Sequence, residues 1–370
     1  MTKTSEPNTA SSVFPCASCG GQMLFNTESQ SLKCQYCERE ESIESILEQP
    51  TEYKLNVANM ELSAAAEWEI SEQVISCTNC GGQMVVDGLQ SALLCPFCGS
   101  PKVLPQQHVE STIRPESLMP FRLSKEEALT SFRNWKKKRW FAPNDFKRSH
   151  LNTTLNGIYI PFWTYDADSS SAYSAEVGVY HYRYETRTRT VNGKQETYQK
   201  RVRYTVWHHA SGVYRQFYDD VLIPASGQYD DALLRKIGGF NLKGLHSYQP
   251  QYLSGFIAER YSVSLKDGWD QACHEMDQRI ESGVRSIIGG DEVRGLRIKT
   301  NYFDQTYKHI LLPIWNAVYT YKDKQYRYMV NGETGDVSGR APKSAWKITF
   351  FILACIAVTL LIIWLVKQAE

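Results

Sequence analysis

The segment CTNCGGQMVVDGLQSALLCPFCG, residues 77–99, repeats an earlier segment, CASCGGQMLFNTESQSLKCQYCE, residues 16–38. The two align without a gap at an offset of 61, and 9 of their 23 positions are identical. Each contains two CxxC pairs with 14 residues between them. A CxxC turn directs two sulfurs at one point, so two facing turns predict a tetrahedral site of four thiolates, which suits Zn²⁺.

The predicted ligands form one set in each of the two segments: Cys16, Cys19, Cys34 and Cys37 in the first, and Cys77, Cys80, Cys95 and Cys98 in the second. Four cysteine ligands leave no open coordination position, so the two predicted Zn²⁺ ions are structural rather than catalytic. Iron in a rubredoxin-like site is the alternative. Eight of the ten cysteines lie in CxxC pairs, which favours metal binding in a reducing compartment over disulfides.

Near the other end, residues 348–366 are 19 consecutive residues without charge, Gly or Pro. As a helix they span about 28 Å, close to the hydrocarbon thickness of a bilayer. Trp346 and Trp364 lie near the two ends, where interfacial aromatic residues are found. Lys343 and Lys347 precede the segment and favour a cytoplasmic location for the bulk of the chain. We therefore expect a single-pass protein of the cell membrane with a C-terminal anchor.

The predicted fold is multidomain: two small zinc ribbons with four cysteine ligands each, an α+β domain with antiparallel β-hairpins and one C-terminal transmembrane helix. The boundaries follow from shifts in composition along the chain. They are a disordered tip (1–12), ribbon 1 (13–38), an acidic and partly helical linker (39–74), ribbon 2 (75–104), the α+β domain (105–340), a juxtamembrane linker (341–347), the transmembrane helix (348–366) and a short tail (367–370).

Charge is distributed unevenly along the chain. Residues 1–104 hold 5 Lys and Arg against 13 Asp and Glu, whereas residues 105–340 hold 33 against 26. Ten of the acidic residues lie between positions 38 and 76. An acidic neighbour opposes binding to a phosphate backbone, so the ribbons are expected to bind protein, or their own chain, rather than DNA.

The α+β domain contains two predicted helices and several hairpins. Ser124 with Glu127 forms a capping box that begins one helix, and a longer helix covers residues 264–288 with Cys273 on its apolar stripe. The segment 157–167, GIYIPFWTYDA, is predicted to be an edge strand or a bulge because it contains a proline. Leu-Pro-Ile-Trp (312–315) echoes Ile-Pro-Phe-Trp (160–163), which suggests an internal duplication.

Two basic stretches are candidate contacts with an anionic surface: Lys136, Lys137, Lys138 and Arg139 at a helix end, and Arg183, Arg187, Arg189, Lys200, Arg201 and Arg203 in a hairpin around Asn192-Gly193. Either stretch fits a solvated surface, and both fit lipid headgroups; the hairpin also fits nucleic acid. The neighbouring pairs His208-His209 and Asp219-Asp220 are expected to point to opposite faces of a strand, so neither pair suits one metal ion.

CxxCGGQM followed by CxxC resembles the TFIIB-type zinc ribbon. With GIYIPFWTYDA, YRYMVNGETGDVSG (326–339) and the terminal apolar helix, the chain resembles a family of bacterial zinc-ribbon membrane proteins. Members are often labelled primosomal protein N′ or replication-factor-Y-like helicases, and some are encoded beside flotillin-like and PspA-like proteins. The resemblance implies flotillin-like or PspA-like membrane proteins as partners. The helicase label does not fit, because neither IGGFNLKG (237–244) nor IIGGDEVRG (287–295) matches GxxxxGK[ST].

The sequence thus predicts a non-enzymatic, tail-anchored scaffold or adaptor that uses two structural ribbons for protein docking. The alternative is a membrane-tethered nucleic-acid-binding protein that uses the ribbons and the basic hairpin. No catalytic constellation is recognisable in the sequence.

Overall fold

The computed structural model describes residues 14–44, 51–56, 73–86, 95–105, 113–148, 154–191, 194–229, 231–237, 239–322 and 324–369. The predicted tip at 1–12, most of the predicted linker at 39–74 and the Asn192-Gly193 turn lie outside these residues. The strands are β1 (Met23–Asn26), β2 (Ser31–Cys34), β3 (Glu40–Ser42), β4 (Tyr53–Lys54), β5 (Gln73–Cys77), β6 (Gln83–Val86), β7 (Val103–Pro105), β8 (Ser117–Leu118), β9 (Thr154–Val191), β10 (Lys194–Pro224), β11 (His246–Ser247), β12 (Ile257–Glu259), β13 (Glu292–Tyr321), β14 (Lys324–Asn331) and β15 (Val337–Gly339). The helices are α1 (Lys125–Lys137), α2 (Asn144–Arg148), α3 (Asp231–Lys236), α4 (Leu265–Ile288) and α5 (Ala345–Ala369).

One large mixed sheet organises the chain. Its central strands are β9 and β13, which pair antiparallel from Thr154 and Val318 at one end to Gly178 and Glu292 at the other. β10 and β14 add antiparallel hairpin partners on the outer sides of these two strands. Strands β1 to β3 form a separate small sheet, in which β3 extends ribbon 1 beyond its predicted end at residue 38. Two four-cysteine clusters, this α+β unit and one apolar C-terminal helix confirm the predicted multidomain fold.

The α+β domain is an internal duplication with approximate two-fold symmetry. Ile160 of β9 faces Leu312 of β13, with Pro161 opposite Leu311 and Tyr159 opposite Pro313. Pro161 and Pro313 are 152 positions apart, and so are Trp163 and Trp315, so residues at this offset are equivalent. The outer hairpins are placed in the same way but at a different offset: Phe162 pairs with Pro224 of β10, and its equivalent Ile314 pairs with Asn331 of β14, 107 positions after Pro224.

The elements that precede the two central strands are also equivalent, at an offset of 140. β8 runs parallel to β13, with Leu118 opposite Leu311, and β12 runs parallel to β9, with Ala258 opposite Tyr159. A serine begins the helix that follows each short strand. The Ser124 side chain accepts from the backbone N–H of Glu127, and that of Ser264 accepts from the N–H of Asp267. Each repeat therefore has the order short strand, helix, long strand, hairpin partner.

Two equivalent tryptophans link the repeats to each other. The indole N–H of Trp163 donates to the Val263 carbonyl at 3.0 Å, and that of Trp315 donates to the Leu123 carbonyl at 3.0 Å. Each carbonyl directly precedes the N-cap serine of a helix in the other repeat. Burying the indoles is inexpensive because both N–H groups find an acceptor.

The prediction of an edge position for GIYIPFWTYDA is wrong: it lies at the centre of the sheet. Proline is tolerated there because the strand that neighbours β9 on one side changes at this residue, from β10 to β12. The Pro161 carbonyl accepts from the Ala225 N–H at 2.9 Å, just where pairing with β10 ends and pairing with β12 begins. In a strand the N and O of one residue point to the same side of the strand. The N–H that Pro161 lacks would therefore have pointed to the junction between β10 and β12. Pro313 repeats the arrangement by accepting from Gly332 at 2.8 Å.

Helix α4 packs against β9 and β10 through its apolar stripe. Trp269, Met276 and Ile280 are buried beside Tyr165, in agreement with the predicted periodicity. Cys273 is half-buried on the same helix, and burial raises the pKa of its thiol to about 12. A thiol with so high a pKa is a poor nucleophile, which fits the predicted core role.

Replacing either linking tryptophan by phenylalanine should destabilise the domain by a similar amount. Trp163→Phe and Trp315→Phe each leave a buried carbonyl without its donor and reduce the buried ring, so we expect a loss of about 2–4 kcal/mol each. Denaturant unfolding of the full chain in detergent measures this, with the exposed Trp346→Phe as control. A large loss at one position and none at the other would contradict the equivalence of the repeats.

Candidate metal centres and the basic hairpin

The four cysteines of ribbon 1 converge on one point. The sulfur of Cys16 lies 3.5 Å from that of Cys37, and the sulfur of Cys19 lies 3.5 Å from those of Cys34 and Cys37. These distances are far longer than the ~2.05 Å of a disulfide. They approach the ~3.8 Å edge of a tetrahedron with metal–sulfur bonds of ~2.3 Å. Ribbon 1 therefore has the ligand geometry of a four-coordinate metal centre.

The cysteine turns are stabilised by the backbone. Gly20 has φ of +71° and its N–H donates to the Cys16 carbonyl at 2.8 Å, a conformation that favours glycine. Backbone N–H groups of Cys37 and Tyr36 donate to the sulfur of Cys34 and lower its pKa to about 6. Such N–H donors stabilise a thiolate, which is the form that binds metal.

Ribbon 2 has the same arrangement in a more buried setting. Cys77 lies 3.7 Å from Cys98, and Cys80 lies 3.7 Å from Cys95, measured between sulfurs. Burial raises the pKa of the Cys80 and Cys95 thiols. A divalent cation compensates this cost, because four thiolates carry a charge that a half-buried site cannot hold alone. Both sets of predicted ligands can thus hold a metal ion.

Ribbon 2 is built into the large sheet. Strand β6 pairs antiparallel with β12, with Val85 opposite Ala258. Side chains of strands β13 and β14 bind the second cysteine turn. Asn316 donates to the Pro96 carbonyl at 2.6 Å, and the Arg327 guanidinium donates to the Phe97 carbonyl. Folding of ribbon 2 and of the α+β domain is therefore coupled.

A buried carboxyl lies at the same junction. Glu259 of β12 is opposite Met84 of β6, and Ser226 donates to it at 2.5 Å. Burial raises the pKa of Glu259 to about 8. The group is thus largely protonated in the folded protein at neutral pH.

Glu259→Gln should flatten the pH dependence of the unfolding free energy. In the unfolded chain the carboxyl ionises near its ordinary value of 4.5, whereas in the folded protein it keeps its proton up to about 8. The wild type therefore loses stability as pH rises through this window, and neutral glutamine does not. Denaturant unfolding at several pH values tests this against the exposed control Glu126→Gln. A variant that follows the wild-type pH profile would show that Glu259 titrates normally.

Ribbon 1 also contacts the α+β domain, but without joining the large sheet. The Phe25 N–H donates to the Ser254 carbonyl at 3.1 Å, and the Ser254 hydroxyl donates to the Met23 carbonyl at 2.8 Å. The Gln30 amide donates to the Phe121 carbonyl at 2.8 Å. Each ribbon thus contacts its own chain through one of its faces, as one of the two expectations had it.

The two ribbons differ at one aromatic position of the second cysteine turn. Phe97 in ribbon 2 is 1% exposed and packs edge-on against Tyr229, with ring centroids 5.8 Å apart. Its counterpart in ribbon 1, Tyr36, is 80% exposed. Both rings lie against a glycine: a Cβ at Gly21 or Gly82 would come within 2.4 Å of the ring. The Gly-Gly pair and the aromatic residue between the last two cysteines are thus one structural feature, which sequence reasoning missed.

The basic hairpin forms a two-stranded arm, defined here as residues 181–204. β13 leaves β9 at Gly178, and beyond this point β9 and β10 pair only with each other among the described residues. The arm carries 7 Lys and Arg against 2 Glu. The 13 residues of β9 beyond Gly178 extend about 43 Å past the sheet, at ~3.3 Å per residue.

The faces of the arm are stabilised by cation–π contacts and ion pairs. Arg201 lies 3.7 Å from the ring centre of Tyr182, and Arg203 lies 4.0 Å from that of Tyr180. On the opposite face, Glu185 accepts from Arg183 at 2.8 Å and from Arg187 at 3.2 Å. The remaining predicted contacts, Arg189 and Lys200, are exposed. The structure thus brings these residues together on one arm.

The helix-end cluster is divided by burial. Lys136 turns inward, 5.5 Å from the ring centre of Phe146, and burial lowers its pKa. Lys137, Lys138 and Arg139 remain exposed. Lys136 therefore belongs to the core surface of α1 and cannot contact an external anionic surface.

The expectation that Asp219 and Asp220 point to opposite faces of a regular strand is wrong. A bulge between Tyr218 and Val221 brings both carboxylates close to Asp166. Lys308 lies 2.8 Å from Asp220, and Asp166 accepts from Thr306 at 2.8 Å. Three carboxylates thus share one ammonium, so the cluster keeps an excess of acidic groups at the bulge.

Helix α5 is long and apolar enough to cross a membrane, and its apolar side chains are exposed. The residue just before it contacts the segment between α1 and α2, where the Ser344 N–H donates to the Phe141 carbonyl at 2.8 Å. Asp145 of α2 accepts from Tyr321 at 2.6 Å, close to the end of β13 that faces Thr154. The arm and α5 thus lie at opposite ends of the central strands.

The chain is similar to YdjG, an uncharacterised protein of Bacillus subtilis (strain 168), with 28% identity over 340 residues. The alignment covers 90% of this chain and 91% of that protein. No known family profile and no solved structure matches the chain.

Disrupting the two metal centres should have different consequences. Cys16→Ser with Cys19→Ser should remove one metal ion per chain and leave the α+β domain folded. Cys77→Ser with Cys80→Ser should also remove one ion, but it should lower the melting temperature of the domain, because β6 and the second cysteine turn are part of its packing.

Elemental analysis by mass spectrometry and thermal unfolding of the purified full chain measure both effects. Cys273→Ser, outside the centres, serves as control. Two metal ions per chain retained in either double variant would refute the ligand assignment.

Proposed function

We propose that this protein is a non-enzymatic, membrane-anchored zinc-ribbon adaptor that presents ribbon 1 and the arm to other proteins on the cytoplasmic side of the cell membrane. Zn²⁺ is the metal that best fits two sites of four thiolates, since all four positions are filled and no ligand is open for catalysis. The Zn²⁺ ions hold the ribbons in shape and take no part in a reaction.

The membrane part of the proposal rests on α5 and its flanks. The helix has the length of a bilayer span, and Lys343 and Lys347 precede it on the side of the folded domain. Basic residues on this side favour a cytoplasmic domain.

The observation that carries the docking role is the difference between Tyr36 and Phe97. The cysteine turn of ribbon 2 is already used: its aromatic residue is buried against Tyr229 of the same chain. The equivalent turn of ribbon 1 presents an exposed aromatic ring beside exposed Cys19 and Cys37. Phe97 packs into a hydrophobic surface of its own chain. We infer that Tyr36, at the same position of ribbon 1, packs into a hydrophobic surface of a partner protein.

Flotillin-like or PspA-like membrane proteins are the partners that the resemblance to zinc-ribbon membrane proteins implies. Such partners lie at the same membrane surface, so the anchor raises their effective concentration near ribbon 1.

A nucleic-acid-binding role is the second candidate, and the net positive charge of the arm favours it. Two features favour the adaptor. Arg203 covers one face of the Tyr180 ring and Arg201 covers one face of the Tyr182 ring, which leaves less of each ring to stack on bases. Ribbon 2 has no Lys or Arg between Cys77 and Cys98.

Tyr36→Ser should remove partner proteins without affecting metal content. We expect crosslinking in native membranes, followed by purification and quantitative mass spectrometry, to recover membrane proteins with the wild type and at least fivefold less with the variant. Phe303→Ser, at an exposed aromatic residue of β13 outside ribbon 1 and the arm, is the matched control.

Equal recovery with both variants would contradict docking through ribbon 1. Loss of the recovered material on nuclease treatment, together with affinity for oligonucleotides that falls steeply between low and physiological salt, would favour the nucleic-acid role instead.

A further inference from the structure

A short segment after α1 combines cations with exposed aromatic rings. Residues 137–141, here called the basic-aromatic segment, read Lys-Lys-Arg-Trp-Phe. Trp140 is 74% exposed and Phe141 is 36% exposed. Large aromatic side chains with this exposure next to three cations are unusual on a surface that faces only water.

The segment is fixed to the first turns of α5. The Ser344 N–H donates to the Phe141 carbonyl at 2.8 Å. The Lys347 ammonium donates to the Ala142 carbonyl at 2.8 Å and to the Asn144 side chain at 2.7 Å. The Phe141 ring packs edge-on against Phe351 with centroids 5.4 Å apart.

These contacts set the depth of the segment relative to a bilayer. Phe351 lies three residues inside the apolar run that begins at Ile348, which is about 4.5 Å along the helix axis. Phe141, beside Phe351, is therefore level with the start of the hydrocarbon region when α5 spans a membrane. Trp140 is adjacent, at the level where tryptophan is favoured in membrane proteins.

The cations of the segment directly precede these rings in the chain. Arg139 stacks over Trp135 with its guanidinium 4.2 Å from the ring centre, which orients it at the end of α1. None of the salt bridges found in the described parts of the chain involves Lys137, Lys138 or Arg139. Their charges are thus available to an external anion.

We propose that the basic-aromatic segment is a second membrane-contacting element: Trp140 and Phe141 insert at the boundary between headgroups and acyl chains, and Lys137, Lys138 and Arg139 bind the phosphates of anionic lipids. The proposal rests on the membrane-spanning role of α5. Two contacts with the bilayer, instead of one flexible stalk, fix the tilt of the domain and hence the direction in which the arm extends.

The test places a photoreactive residue in the full chain, reconstituted in vesicles of equal parts phosphatidylglycerol and phosphatidylcholine. Trp140→p-benzoylphenylalanine should give lipid adducts on irradiation, detected by mass spectrometry of the peptides. The same substitution at Trp346 in α5 is the positive control, and at Tyr182 on the arm it is the negative control.

The charge requirement is tested with a second set of vesicles and variants. Adducts at position 140 should fall at least threefold in pure phosphatidylcholine, and by a similar factor in the combined variant Lys137→Gln, Lys138→Gln, Arg139→Gln. Lys125→Gln, at the exposed opposite end of α1, should leave the yield unchanged.

The outcomes separate this inference from the proposed function. Adducts at position 346 without adducts at 140 overturn the second contact while the anchor stands. No adducts at 346 overturn the anchor itself. Adducts at 140 that respond neither to lipid charge nor to the glutamine substitutions overturn the binding of anionic lipids.

Discussion

The antiparallel pairing of β9 with β13 is the constraint on which the rest of the structure depends. The pair crosses its symmetry axis at Ile160 and Leu312, where both residues are fully buried. Every large element is placed relative to this axis: the outer hairpin strands, the short parallel strands and the two helices. Because Trp163 and Trp315 each bond to the segment before a helix of the other repeat, neither repeat has a complete core alone.

The symmetry is broken where the ribbons attach, and this break distinguishes their roles. Ala258 of β12 has ribbon 2 as its next neighbour in the sheet, through Val85. At the equivalent position, Leu118 of β8 is paired with His246 of β11. Ribbon 1 is thereby excluded from the sheet and is held by side-chain packing and a few hydrogen bonds. One ribbon completes the fold, and the other keeps its second cysteine turn exposed to solvent.

Local patterns in the sequence were sufficient for some features of the molecule. Cysteine spacing predicted both metal-ligand sets, the Ser124 capping box predicted the start of α1, and an uncharged run predicted α5, since each signal lies within about 25 residues. The echo of Ile-Pro-Phe-Trp in Leu-Pro-Ile-Trp was the visible trace of the duplication. It could not show that these segments pair with each other, because strand pairing over 152 residues leaves no local signal.

Other features depend on tertiary context and were out of reach of pattern reasoning. Pro161 suggested an edge strand, yet its missing N–H falls at a seam between two neighbours in the centre of the sheet. Asp219 and Asp220 were expected on opposite faces, but a bulge removes the alternation on which that expectation rests. Nothing in the two cysteine turns indicates that Phe97 is buried and Tyr36 exposed, since the difference arises from β11 occupying one of two equivalent places.

The continuity of the central strands has a mechanical consequence. β9 runs without interruption from Thr154, near the base of α5, to Val191 in the arm, a contour of about 120 Å at ~3.3 Å per residue. Hydrogen bonds to β10 and β13 stiffen most of this length, and the Arg–Tyr contacts stiffen the part that β13 does not cover. Hinges occur where a chain has few hydrogen bonds. Among the described strand pairs, β9 has such places only at its bulges. Under the proposed function, the orientation of α5 in a bilayer is transmitted to the arm through this one paired backbone, which holds the arm at a set distance from the membrane.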